Sequence, residues 1–330
     1  MHLRRAFVQY AVAAASALAA TMATAADAGH PAASLGGMLL AESSQAARLA
    51  AAAPREPVAP DSRGLLFRVE KAGIAPSYVF GTLHSSDPRV TALPDAVARA
   101  FGEARSFATE SRLTLGEIAG FFDAAQFDDG RRLADFFDAA TLAEIRIRLG
   151  GRAPERANFE RLKPWAVMLL LAEAPAAAAG GGPTLDERLL VAARARKLAI
   201  VGLELPDEQV AAFDSIALAS QVALVKHLLA HRDALAGEHE AVVAAWLGRD
   251  LAALAALEAS QRRRHPDAAP HLAELARHLV ENRSVQMAHR LFLPLRGGRV
   301  FVAVGALHLA GERSLLALLR EQGYRIHPVY

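Results

Sequence analysis

The chain has no cysteine. That excludes disulfides, thiolate metal ligands and a lipoprotein-type acylation site, so the fold must rest on its apolar core. Aromatic residues make up only 6% of the sequence, and the formal charge of +2 is close to balance. Basic residues are not interleaved with aromatics, so nucleic-acid binding has no support. The run Arg262-Arg263-Arg264 reads as a solvated helix end. The sequence lacks a Gly-x-Ser-x-Gly elbow, a phosphate-binding P-loop and a dinucleotide fingerprint, so it does not read as a serine hydrolase of the elbow type.

Long apolar runs are confined to the first residues. Arg4 and Arg5 precede an apolar stretch from Ala6 to Ala23, and Ala23-Thr24-Ala25 is an A-x-A cleavage signal. Residues 1–25 therefore read as a signal peptide, and the mature protein is expected in the periplasm or secreted. No integral membrane segment is expected after cleavage, and the oligomeric state is left open. Residues 26–62 are rich in Ala, Pro, Ser and Gly and read as a poorly ordered lead-in. With 53% hydrophobic residues, residues 63–330 can build the core of one large domain.

Two motifs near opposite ends of that domain read alike. Tyr78-Val79-Phe80-Gly81-Thr82-Leu83-His84 and Val302-Ala303-Val304-Gly305-Ala306-Leu307-His308 are each an apolar run, a glycine, two residues and a histidine. The runs read as buried strands, with glycine supplying a backbone conformation that other residues resist. Each histidine would stand just past the carboxyl end of a strand, where open α/β sheets gather ligands.

The strand Leu65–Val69 is expected to pair antiparallel with Ser77–Gly81 across a Gly-Ile-Ala-Pro turn. Further strands are expected at Ser106–Glu110, Leu198–Glu204, Arg299–Gly305 and Tyr324–Val329. Helical blocks fill about 112–173 and 206–296, the second broken near His265-Pro266. An Ala/Gly connection at 174–183 precedes a capping box at Thr184–Glu187. The fold class is thus α/β: a mixed central sheet from the N- and C-terminal segments, with a large helical insertion or cap.

Chemistry requires donor groups that converge. His84 and His308 supply two nitrogens, and Glu110 ends a strand that a βαβ arrangement places on the same sheet edge. Glu204 also ends a strand, as a further ligand or a general base. Such a nitrogen and oxygen set suits zinc or manganese. Arg283 falls within the apolar stripe of Leu272, Ala276, Leu279 and Met287. A guanidinium there needs a carboxylate or an anion. It can anchor Glu110 or Glu204, hold an oxyanion, or snorkel at the helix end. His227 and His231, spaced i and i+4, lack a following carboxylate and read as a solvated face.

These motifs resemble the TraB/GumN family, which includes the TIKI proteins. The likeness spans most of residues 64–330. It rests on Tyr78–Asp87, Leu93-Pro94, Glu110, Gly202-Leu203-Glu204 with Glu208-Gln209, Val302–Leu309 and Gly323-Tyr324. It implies a mixed α/β fold with a helical insertion. For TIKI-like members it implies a metal-dependent peptidase whose site here would be His84, His308 and Glu110. The family commonly has Arg-Asn followed by Met, and here Arg283 and Met287 match while Ser284 replaces the asparagine.

The leading expectation is an exported metallohydrolase acting on a peptide or protein substrate, with Glu110, Glu204 and Arg283 as catalytic residues. One alternative is a periplasmic protein that holds a metal or metal cofactor without turnover. The other is a metal-free, esterase-like hydrolase.

Overall fold

The computed structural model describes residues 62–112, 115–150, 153–172 and 182–330. The expected leader, nearly all of the lead-in and most of the 174–183 connection lie outside the described residues.

Six strands form one sheet: β1 (Leu66–Lys71), β2 (Ile74–Thr82), β3 (Ser106–Thr109), β4 (Ala199–Gly202), β5 (Val300–Gly305) and β6 (Arg325–Pro328). The order across the sheet is β4-β3-β5-β2-β1-β6. β4, β3, β5 and β2 run parallel, while β1 pairs antiparallel with β2 and β6. The sheet is thus mixed, and its first and last segments meet in it. The two glycine-histidine strands are direct neighbours, with Thr82 opposite Gly305. β5 also inserts between β2 and β3, so Glu110 stands beside the His308 strand rather than the His84 strand.

The expected Gly-Ile-Ala-Pro turn is shorter in the structure. β2 already begins at Ile74, and Gly73 at φ +76° supplies the turn. Pro76 lies inside β2, opposite an irregularity in β1 between Val69 and Lys71. Its missing N–H is tolerated because the ladder is already interrupted there.

Two apolar cores result. The sheet core gathers Phe80, Phe107 and Phe301 with Val97 and Phe101 of the Asp95–Glu103 helix, Leu189 of the Leu185–Ala195 helix and Leu291 of the Asn282–Gly297 helix. The helical core, from the segments between β3 and β5, gathers Phe121, Trp165, Phe213, Leu224 and Leu279. One long helical run joins them. Its Ala269–Ala276 part buries Leu272 and Leu275 in the helical core, and its Asn282–Gly297 part buries Met287 and Leu291 in the sheet core. Between the two parts, Arg277–Glu281 is a π-helical segment, a local widening often found beside functional residues. Arg283 and Ser284 follow one residue beyond it. Among the described residues, no single helix is long and apolar enough to cross a membrane.

Candidate functional site

Four parallel strands deliver their carboxyl ends to one edge. Thr82, Thr109, Gly202 and Gly305 end β2, β3, β4 and β5, and His84, Glu110, Glu204 and His308 follow within three residues of those ends. The ladder continues into the site, because Leu203 N donates to Thr109 O at 2.8 Å and Glu204 N to Glu110 O at 3.0 Å. The two glutamates are therefore held side by side by backbone pairing before any side-chain contact forms.

Arg283 fastens them from the helix above. Its Nε donates to Glu204 Oε1 at 2.7 Å and its Nη2 to Glu204 Oε2 at 2.6 Å. Nη2 also donates to Glu110 Oε2 at 2.7 Å, and Nη1 to Leu279 O at 3.1 Å. Arg283 is only 3% exposed, so snorkelling does not describe it. The two carboxylates hold its guanidinium charged against burial, and its pKa is raised. Gln209 Nε2 adds a bond to Glu204 Oε2 at 3.2 Å. Both oxygens of Glu204 are therefore engaged. Glu110 keeps Oε1 toward β5, where it accepts Gly305 N–H at 2.7 Å.

His308 sits in a short 3₁₀ turn, Ala306–Leu309, and is fully buried. The Ser284 hydroxyl donates to Val280 O at 2.7 Å, so its oxygen accepts from His308 Nδ1–H at 2.9 Å. This fixes the tautomer and makes Nε2 the acceptor atom. Nε2 has no hydrogen-bond partner and lies 3.8 Å from Glu110 Oε1. Burial, reinforced by the Arg283 charge, pushes the His308 pKa down to about 3. The ring is neutral at ordinary pH, as a ligand or acceptor must be.

His84 is oriented in a similar way by Asp186, which also lies within the expected capping box at Thr184–Glu187. Its Nδ1 lies 3.3 Å from Asp186 Oδ2, while Thr82 Oγ1 donates to Asp186 Oδ1 at 2.5 Å. A carboxylate only accepts, so this pairing protonates Nδ1 and presents Nε2. Asp186 is in the first turn of Leu185–Ala195, after the capping box of Thr184 and Glu187. Its acidic type in that turn looked like a helix signal, which hid its second use. The loop after His84 is tied down by Asp87 and Arg89, and Arg89 donates to Glu240 at 2.8 Å. His239, beside this network, buries an Nε2 atom without a partner, another residue that no local pattern marked.

Neither motif glycine has an unusual dihedral, and Gly81 serves packing. Gly81 has no positive φ, and Gly305 is extended at φ −53° and ψ 137°. A Cβ on Gly81 would stand 2.9 Å from Leu309 Cδ1 and 3.1 Å from Ala306 Cα. The absent side chain lets the His308 turn lie against β2.

The donor types therefore fit a divalent ion. Two imidazoles have Nδ1 tied to a hydroxyl and a carboxylate, the His308 ring nitrogen Nε2 is buried without a partner, and a carboxylate oxygen lies nearby. The donors are not drawn into a closed cage, however. Among the described residues, the group of three metal-ligating side chains whose donor atoms all lie within 4.8 Å of one another is His227, His231 and His265. A cavity of about 400 Å³ opens beside Ser284 and Leu307, bordered by Glu258, Arg262, Glu281 and Arg313.

No curated protein and no solved structure matches the chain. Residues 65–328, which contain all six strands and every site residue above, match the model of the TraB/PrgY/gumN family, and the chain belongs to that family.

Proposed function

We propose that this protein is an exported metal-dependent hydrolase of peptide bonds, with His84, Glu110 and His308 holding a divalent manganese or zinc ion. The observation that carries the reading is the buried, unpartnered Nε2 of His308, aimed beside Glu110 Oε1 with its tautomer already fixed. A buried acceptor without a donor costs free energy unless something uses it. The same arrangement is what a ligand histidine requires.

An ion held there supplies Lewis acidity toward a carbonyl and a more acidic bound water. The chain's own residues do the rest. Ser284 and Asp186 keep each imidazole presenting Nε2. Arg283 neutralises Glu204 and holds Glu110 by Oε2, which keeps Oε1 turned toward His308 Nε2 as the ligand oxygen. Glu204 and Arg283 act as positioning residues in this reading, because their polar atoms are spent on each other. The cavity beside Ser284, with charges of both signs at its border, suits a polar backbone such as a peptide. Export rests on the Arg4–Ala25 leader pattern.

A second reading is metal binding without turnover. It is favoured by Arg283 and Gly305 N–H already engaging both oxygens of Glu110. Cleavage of a mixed peptide pool with added manganese or zinc separates the two readings. Hydrolysis lost in His84→Ala and Glu110→Gln supports the hydrolase. Stoichiometric metal without cleavage supports the binding protein, and activity surviving in both variants contradicts the assignment.

A further inference from the structure

Away from the sheet edge, three histidines from two separate helix ends meet in the helical block. His227 lies in the last turn of Leu218–Ala230, and His231 caps that helix. His265 caps the carboxyl end of Leu251–Arg264. Their ring centroids are 4.6, 4.7 and 4.3 Å apart, and their donor nitrogens lie within 4.8 Å of one another. Among the described residues, none of the three side chains makes a hydrogen bond or ion pair, so their donor atoms are not committed elsewhere.

Imidazoles clustered this closely disfavour protonation of one another. Burial, followed by His231 and His265, pushes His227 down to about 4. Burial, His231 and then Arg264 lower His265. The neutral ring, favoured in this way at His227 and His265, is the form that binds metal. His231 stands between the carboxyl end of Leu218–Ala230 and the amino end of Arg232–Leu247, so the helix dipoles oppose one another there and the donor geometry alone carries the site. Their i, i+4 spacing alone puts His227 and His231 on a solvated face. The structure corrects this, since all three histidines are only partly exposed, and His265 supplies the third donor from 34 residues beyond His231.

We propose that His227, His231 and His265 form a second metal site, taking a borderline divalent transition-metal ion such as zinc. Three imidazole nitrogens match such an ion, and partial exposure leaves a fourth position for water. A tetrahedral zinc ion with bonds of about 2.0–2.1 Å needs its nitrogens about 3.3 Å apart, so modest rotation of partly exposed rings closes the site. Bound metal would staple the carboxyl ends of Leu218–Ala230 and Leu251–Arg264 and steady the helical block. This inference does not depend on the sheet-edge site.

Zinc bound per chain is measured by competition with a chromophoric chelator in the full chain, in His265→Ala and in His84→Ala. His265→Ala should lose one equivalent, or bind it at least tenfold more weakly, while His84→Ala retains it. Zinc should raise the thermal midpoint of the wild type more than that of His265→Ala. Cobalt(II) loaded into His84→Ala should give the absorption of a nitrogen-bound tetrahedral ion, absent when His265→Ala is added. If His265→Ala fails to fold, His231→Gln reads the same loss. Zinc stoichiometry and affinity in the histidine variant equal to wild type would overturn the proposal. Loss in His84→Ala alone would do the same and leave the sheet-edge reading standing.

Discussion

Arg283 grips Glu204 through two parallel contacts, Nε to Oε1 at 2.7 Å and Nη2 to Oε2 at 2.6 Å, with both residues buried. The pair spans the helical run and the end of β4, and through Nη2 it also captures Glu110. Removing the cation leaves two carboxylates without their counter-charge. Arg283→Met should destabilise the fold by about 3–5 kcal/mol, the usual range for stripping one partner from a buried pair. Arg283→Lys should recover only part of this, because an ammonium cannot reproduce the two-pronged contact. Urea unfolding midpoints of the three proteins check the order.

Ser284 gives a test that leaves the fold nearly intact. Ser284→Ala removes the acceptor that fixes His308 Nδ1–H. Loss of such an outer partner is expected to weaken metal binding about 10–100-fold. The accompanying stability loss should be about 1 kcal/mol. Calorimetric titration with manganese or zinc, beside a thermal melt without metal, separates the two effects.

Gly81 makes the close approach of β2 to the His308 turn possible. In Gly81→Ala the new methyl meets Leu309 and Ala306 at 2.9–3.2 Å. A loss of about 1–3 kcal/mol is expected from such overpacking, together with weaker metal binding as the turn shifts. Equal stability and equal affinity would show that the turn yields freely.

Glu208 and Arg290 brace the loop that carries Glu204. Arg290 Nη1 donates to Glu208 Oε2 at 2.5 Å and to Leu203 O at 2.9 Å, and Glu208 Oε2 also accepts Leu205 N–H at 2.7 Å. Arg290, with smaller help from the Leu205 N–H, holds the Glu208 carboxyl below its ordinary value of 4.5. A carboxyl depressed in the folded state stabilises fully above its unfolded pKa, and that contribution is lost as pH falls through the folded pKa. The stability gap between wild type and Glu208→Gln should therefore be constant above about pH 5 and shrink as the solution is acidified past 4.5. Thermal midpoints from pH 3 to 7 check this.

The strand-end logic of the site was legible in the chain because it is local. An apolar run followed by Gly-x-x-His announces both a strand and what leaves its end, and the two runs proved to be neighbours. Arg283 was legible as an anomaly of helix phase, since a cation on the stripe of Leu272, Leu279 and Met287 demands a partner. Which partner it takes depends on the parallel pairing of β3 with β4, which no spacing along the chain states. Asp186 and His265 were missed for related reasons. Asp186 meets His84 across 102 positions, and its place in a helix first turn already explained it. His265 looked like the punctuation of a helix break, and only the folded corner brings it to His227 and His231. Gly81 is legible as a glycine but not for its reason, because close packing leaves no trace in a sequence that differs from a positive φ.

The most direct test of the central claim is the number of divalent ions bound at the sheet edge. Manganese and zinc titrations would be run on protein carrying His227→Ala and His265→Ala, so that the helical cluster does not contribute. One equivalent, lost on adding His84→Ala and weakened by Glu110→Gln, is the result expected. No bound ion in the starting protein, or an equivalent that survives both changes, would contradict it.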